Sequence, residues 1–125
     1  FDIMQYASFA RSIYPQKRVL RPSDISFAQI CAKEAACRET QIRYLKIIEA
    51  IEATPELLTT LTAYLLDYES SMANTAKALC CHINTIKYRL NAIRDNTGYS
   101  PSKPADVYPL LIAVAINRMR NSENE

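Results

Sequence analysis

A single glycine, Gly98, serves all 125 residues. Few positions can therefore adopt positive φ, and the chain is expected to be helical with short links. The same scarcity removes most phosphate-cradling loops and nucleophile elbows, and no paired-carboxylate site stands out, so no enzyme is expected. Glu49 and Glu52 lie three apart on one expected helix, where solvated surface explains them better than chemistry does. No apolar run reaches the ~18 residues of a membrane span. The opening stretch has neither the basic start nor the small-residue cleavage site of a signal peptide, and it begins at Phe1. We expect a piece of a longer protein, with an N-terminal partner domain upstream. Four cysteines without a secretory signal, Cys31, Cys37, Cys80 and Cys81, favour reduced thiols and a cytoplasmic location. Paired metal-ligand spacing is missing as well. Cys80, Cys81 and the only histidine, His82, are consecutive and cannot easily surround one tetrahedral zinc, so neither metal nor cofactor is expected.

What is present is globular: 49% of residues are hydrophobic and 22% charged. The net charge of +2 says little about partners, but its placement says more. From Ser70 to Arg94 the chain carries Lys77, Lys87, Arg89 and Arg94 and no acid, while Glu69 and Asp95 stand immediately outside.

Prolines and caps mark the elements. A first helix ends near Ile13, before Pro15, and Lys17 to Arg21 reads as a short extended piece. Ser23 or Asp24 can cap a second helix that fades near Arg38. Ile42, Leu45, Ile48 and Ile51 recur every three residues on a third, with Glu39 placed to pair with Arg43. Thr54-Pro55-Glu56 opens a fourth, which runs to about Tyr68 and buries Leu58, Leu61 and Leu65. Short helices over about Met72–Leu79 and Asn84–Asn96 follow, the second closed by Gly98. Asp106 can cap a last helix with Pro109 in its first turn and apolar residues on nearly every side. The polar stretch from Asn121 to Glu125 is expected to fray.

The pair of short helices meets the requirements of a helix-turn-helix, roughly Ser71 to Arg94. Ala76 is the small residue at the crossing, Leu79 and Cys81 are apolar at the turn, and Ile86, Leu90 and Ile93 form a stripe on the second helix. At about 100° per residue that stripe spans about 60°, and Asn84, Lys87, Tyr88 and Asn91 group on the other side. Asn84 and Asn91 can bond base edges, Lys87 can reach a guanine or a phosphate, and Tyr88 and Arg89 suit the backbone. Ser71 and Thr85 can reinforce phosphate contacts at the helix N-termini. A short polar helix with a few lysines is also what ordinary solvated surface looks like.

The stretch Leu57 to Arg120 resembles the C-terminal helix-turn-helix domain of the PucR/CdaR family of bacterial regulators. The resemblance is carried by Leu58-Thr59-Thr60-Leu61-Thr62-Ala63-Tyr64-Leu65, by Thr75-Ala76-Lys77-Ala78-Leu79 and above all by His82-Ile83-Asn84-Thr85-Ile86-Lys87-Tyr88-Arg89-Leu90. The architecture is also similar to the DNA-binding end of the factor for inversion stimulation. More weakly, Lys17-Arg18-Val19-Leu20 with Asp24-Ile25 resembles the segment joining the family's GGDEF-like middle domain to this one. The resemblance implies double-stranded DNA as partner and His82, Asn84, Thr85, Lys87, Tyr88 and Arg89 as contacts, with Ser71, Lys77 and Asn91 added from position. It also implies an effector-sensing domain upstream in the same protein. Two departures stand out: Ile83 where a basic residue is common, and Cys80-Cys81 in place of bulkier apolar residues. The first removes a contact and predicts weaker DNA affinity.

We therefore expect an all-α helical bundle containing a Fis-like helix-turn-helix, with one short extended segment near residues 17–21. Residues 1–22 would end a preceding domain, 23–53 would be connecting helices, 54–120 the DNA-binding domain and 121–125 a disordered tail. A competing reading is a helical interaction module whose apolar last helix is a subunit interface. Both readings are compatible with a homodimer, since paired recognition helices sit about 34 Å apart on DNA. Tyr6, Tyr14, Tyr44, Tyr64, Tyr99 and Tyr108 are scattered, which favours packing over base stacking.

Overall fold

The computed structural model describes residues 3–123, and among these it contains seven helices and no strand. Phe1, Asp2, Asn124 and Glu125 lie outside the described residues. The helices are α1 (Ile3–Ile13), α2 (Pro22–Ala36), α3 (Arg38–Glu52), α4 (Pro55–Thr62), α5 (Met72–Ala78), α6 (Ile83–Thr97) and α7 (Pro104–Glu123). The piece expected to be extended at 17–21 forms no strand: the chain bends at Arg18 and Val19, and Arg21 is extended at φ −83° and ψ 159°.

α7 is the axis of the fold. Leu110, Ile112, Ala113, Val114, Ala115, Ile116 and Met119 are buried on it, and α1, α2, α3 and α4 pack around it. A helix apolar on all sides requires such enclosure, and here the chain's own helices provide it.

Proline sets two helix starts earlier than the short polar residues suggest. α2 begins at Pro22, so Asp24 is its third residue and not its cap. From there the Asp24 carboxylate accepts the Arg21 backbone N–H at 2.9 Å and pairs with Lys17 Nζ at 2.9 Å. α7 likewise begins at Pro104, and Asp106 accepts the Ser100 N–H at 3.1 Å. Pro109 then falls beyond the first turn, where its missing N–H leaves the helix one bond short.

On α3 the buried residues are Tyr44, Ile47, Ile48 and Ile51, while Ile42 is 46% exposed. Residues spaced strictly by three drift by about 60° per step, so Ile42 and Ile51 point to opposite sides of the helix. Glu39 and Arg43 are both exposed and do not form the expected ion pair. α2 and α3 separate at Cys37, whose φ of −88° and ψ of 120° are not helical. There the Thr40 hydroxyl lies 2.6 Å from the Glu34 carbonyl and 3.0 Å from that of Cys37.

α4 starts at Pro55 with Thr54 before it, although Thr54 makes no side-chain cap bond, and it buries Leu57, Thr60 and Leu61 while Leu58 is half-buried. Instead of continuing as α-helix to Tyr68, the chain widens into a π-helical segment over Ala63–Asp67, where the Tyr68 N–H donates to the Ala63 carbonyl at 2.9 Å. Asp67 at its end receives both arms of Arg118 at 2.8 and 2.9 Å. Arg118 also donates to the Ile13 carbonyl at 3.0 Å, so one α7 side chain ties α1 to the segment leading into α5.

Among the tyrosines scattered outside the helix-turn-helix, Tyr6, Tyr44 and Tyr64 are buried, Tyr14 and Tyr99 half-buried, and Tyr108 48% exposed. No helix among the described residues is long and apolar enough to cross a membrane.

Candidate nucleic-acid interface

α5 opens on Ser71, whose Oγ accepts the Asn74 N–H at 3.1 Å. The buried Thr75 hydroxyl donates back to the Ser71 carbonyl at 2.7 Å, and Ala76, 5% exposed, sits in the core where α5 meets α6. Its lack of bulk permits the close approach of the two helices.

The turn between them ends α5 in a paired hydrogen-bond pattern. The Cys81 N–H reaches the Ala76 carbonyl at 3.0 Å and the Cys80 N–H reaches Lys77 at 3.3 Å, with Cys80 left-handed at φ 54°. This pattern usually employs glycine at the left-handed position. Leu79 and Cys81 are half-buried against the core, as their place at the turn requires.

α6 begins at Ile83 with His82 as cap, its Nδ1 accepting the Asn84 N–H at 3.0 Å. That bond requires an unprotonated Nδ1. Ile86, Leu90 and Ile93 are buried, and Gly98 closes the helix at φ 82°. On the outer side Asn84, Lys87, Tyr88 and Asn91 are all exposed, Tyr88 by 74%. The one sequence thus packs on one side and presents polar groups on the other.

The remaining sequence-derived candidates are arranged less uniformly. Lys77 is exposed in the last turn of α5, Thr85 is half-buried, and Ser71 and His82 are engaged as caps. Arg89 differs most from expectation: it is half-buried, and its guanidinium donates to the fully buried Thr60 hydroxyl of α4 at 3.1 Å. It braces α6 against α4 and does not extend freely into solvent. One further residue belongs to the exposed stripe. Arg94 is exposed one turn beyond Asn91 and shares its side with Lys87, a spacing of seven that was available in the sequence.

Residues 57–116 match the family model of the PucR C-terminal helix-turn-helix domain. Among curated proteins, one from Mycobacterium bovis and one from Mycobacterium tuberculosis strain H37Rv, both described as uncharacterized, are each 40% identical over 68 residues, covering 54% of this chain and 16% of the relative. The chain thus spans about a sixth of the length of these relatives. No solved structure matches it significantly.

Proposed function

Residues 57–116 being a PucR C-terminal helix-turn-helix domain, we propose that the chain is the DNA-binding end of a bacterial transcription regulator and reads double-stranded DNA by placing α6 in the major groove. The observation that carries this reading is the division of α6 into a buried stripe, Ile86, Leu90 and Ile93, and an exposed, acid-free side bearing Asn84, Lys87, Tyr88 and Asn91. Asn84 and Lys87 are the base readers, since an amide matches adenine and an ammonium matches guanine in that groove. Tyr88 and Asn91 assist, and Ser71, Lys77, His82 and Thr85 approach phosphates from the flanks. Arg89 acts mainly by holding α6 in place.

In this reading residues 54–120 carry the DNA-binding part of a cytoplasmic protein, and the packing of α1, α2 and α3 on α7 favours one folded unit over a separate preceding domain at 1–22 with a connection at 23–53. The greater length of the relatives supports an effector-sensing domain upstream. A homodimer would present two copies of α6 one DNA turn apart. The interaction-module reading rested on an apolar last helix in need of cover, and α7 is covered by its own chain.

The test is selection from random duplexes at low salt, with a Lys87→Ala, Asn84→Ala double variant in parallel. The reading predicts an enriched motif that the variant does not enrich. A folded protein that enriches nothing would count against direct reading by this chain.

A further inference from the structure

Beside the exposed stripe of α6 lies a cleft of about 230 Å³. Lys87, Asn91 and Arg94 form one wall, the segment Ser100-Pro101-Ser102 forms the other, and Tyr64, Met72 and Leu90 also line it. No carboxylate lines it. Asp95, the nearest acid in sequence, pairs with Arg94 at 3.3 Å from outside, and both partners are exposed, an arrangement that holds an arginine only weakly.

The far wall is fixed before anything binds. The Ser100 N–H is held by Asp106 at 3.1 Å, the Ser100 and Ser102 hydroxyls lie 3.0 Å apart, and the Ser102 N–H points at Ser100 Oγ at 3.3 Å. Ser100 and Pro101 are buried while Ser102 is exposed. Arg94, Lys87 and Ser102 thus border an acid-free recess with a largely apolar floor, which shares Lys87 and Asn91 with the reading side of α6.

We propose that this cleft seats one phosphodiester of the DNA backbone, gripped by Arg94 and Ser102, at the edge of the bases that α6 reads. The inference rests on the DNA-reading proposal above and extends it to the link after the recognition helix. It assigns Lys87 two neighbours, a base on one side and this phosphate on the other. The contact fixes how far α6 slides along the groove and carries no sequence information of its own.

The experiment uses the whole chain, the motif selected above, and the variants Arg94→Gln and Ser102→Glu, each checked for unchanged thermal unfolding. Both positions are exposed, so folding should survive. Loss of one phosphate contact should reduce the slope of log affinity against log salt by about 0.9 and weaken binding to all duplexes alike by roughly three- to tenfold at low salt, with the selected motif unchanged. Ser102→Glu, which places a negative charge in the recess, should weaken binding further. Ethylation of single phosphates should reveal one whose modification weakens the wild type and has no effect on Arg94→Gln. If the wild type selects a motif but both variants bind with its affinity and salt slope, the cleft proposal fails and the DNA-reading proposal stands. If the wild type binds no DNA, both fail.

Discussion

The Arg89 guanidinium on α6 donates a 3.1 Å hydrogen bond to the hydroxyl of Thr60 on α4, and Thr60 is wholly buried. The recognition helix is therefore held at its middle by a polar contact as well as by its apolar stripe. Replacing Thr60 with valine keeps the shape and leaves the guanidinium without its partner, which should cost about 1–3 kcal/mol of stability. Chemical denaturation of Thr60→Val measures it. A loss below about 0.5 kcal/mol, within the range of ordinary surface changes, would show that the bond does not brace α6.

Arg118 and Asp67 form a second polar lock, with side-chain exposures of 24% and 20%. Arg118→Ala would strand the carboxylate and remove the donor to Ile13, at a cost of roughly 1–3 kcal/mol. Hydrogen exchange should then rise in α1 and in the π-helical segment together. Faster exchange in only one of them would mean that Arg118 does not join the two.

Cys80 occupies a left-handed position at φ 54°, unfavourable for any residue with a Cβ. Cys80→Gly should stabilise the chain by about 0.5–1 kcal/mol, the relief being partly offset by the greater freedom of the unfolded chain. Cys80→Val should destabilise it by about 1–3 kcal/mol. Thermal melts of the two variants should move in opposite directions, and movement in the same direction would contradict the turn geometry.

Burial pushes the Asp24 carboxyl up, but the Arg21 backbone N–H and the Lys17 ammonium outweigh burial and hold it below its ordinary value of 3.8. A carboxylate held low in the folded state contributes stability that is complete above its unfolded value and is lost as pH falls through the folded one. The wild type should therefore exceed Asp24→Asn in stability at about pH 6, with the difference shrinking toward about pH 2. A difference that stays constant over that range would contradict the assignment.

How much of this was legible follows from the range of the interactions. Ala76 and the stripe of Ile86, Leu90 and Ile93 are local patterns, and the helix-turn-helix with its Gly98 stop could be read directly from them. The starts of α2 and α7 were misplaced by two or three residues because an aspartate can serve either as cap or as third residue, and the proline before it decides which. The α3 stripe was misread by following a spacing of three where burial follows three and four. Arg89 was hidden for a different reason: its partner lies 29 positions away on another helix, and no local pattern announces it. The widening of the chain at Ala63–Asp67 likewise has no signature that short-range spacing would disclose.

The central claim is that α6 reads bases through Asn84. Its most direct test is the affinity of wild type and Asn84→Ala for the selected duplex and for duplexes changed at one base pair at a time. The account predicts that Asn84→Ala loses about 1–3 kcal/mol of discrimination at one A·T pair and keeps it elsewhere, with affinity for unrelated DNA unchanged. Undiminished discrimination at every position would contradict it.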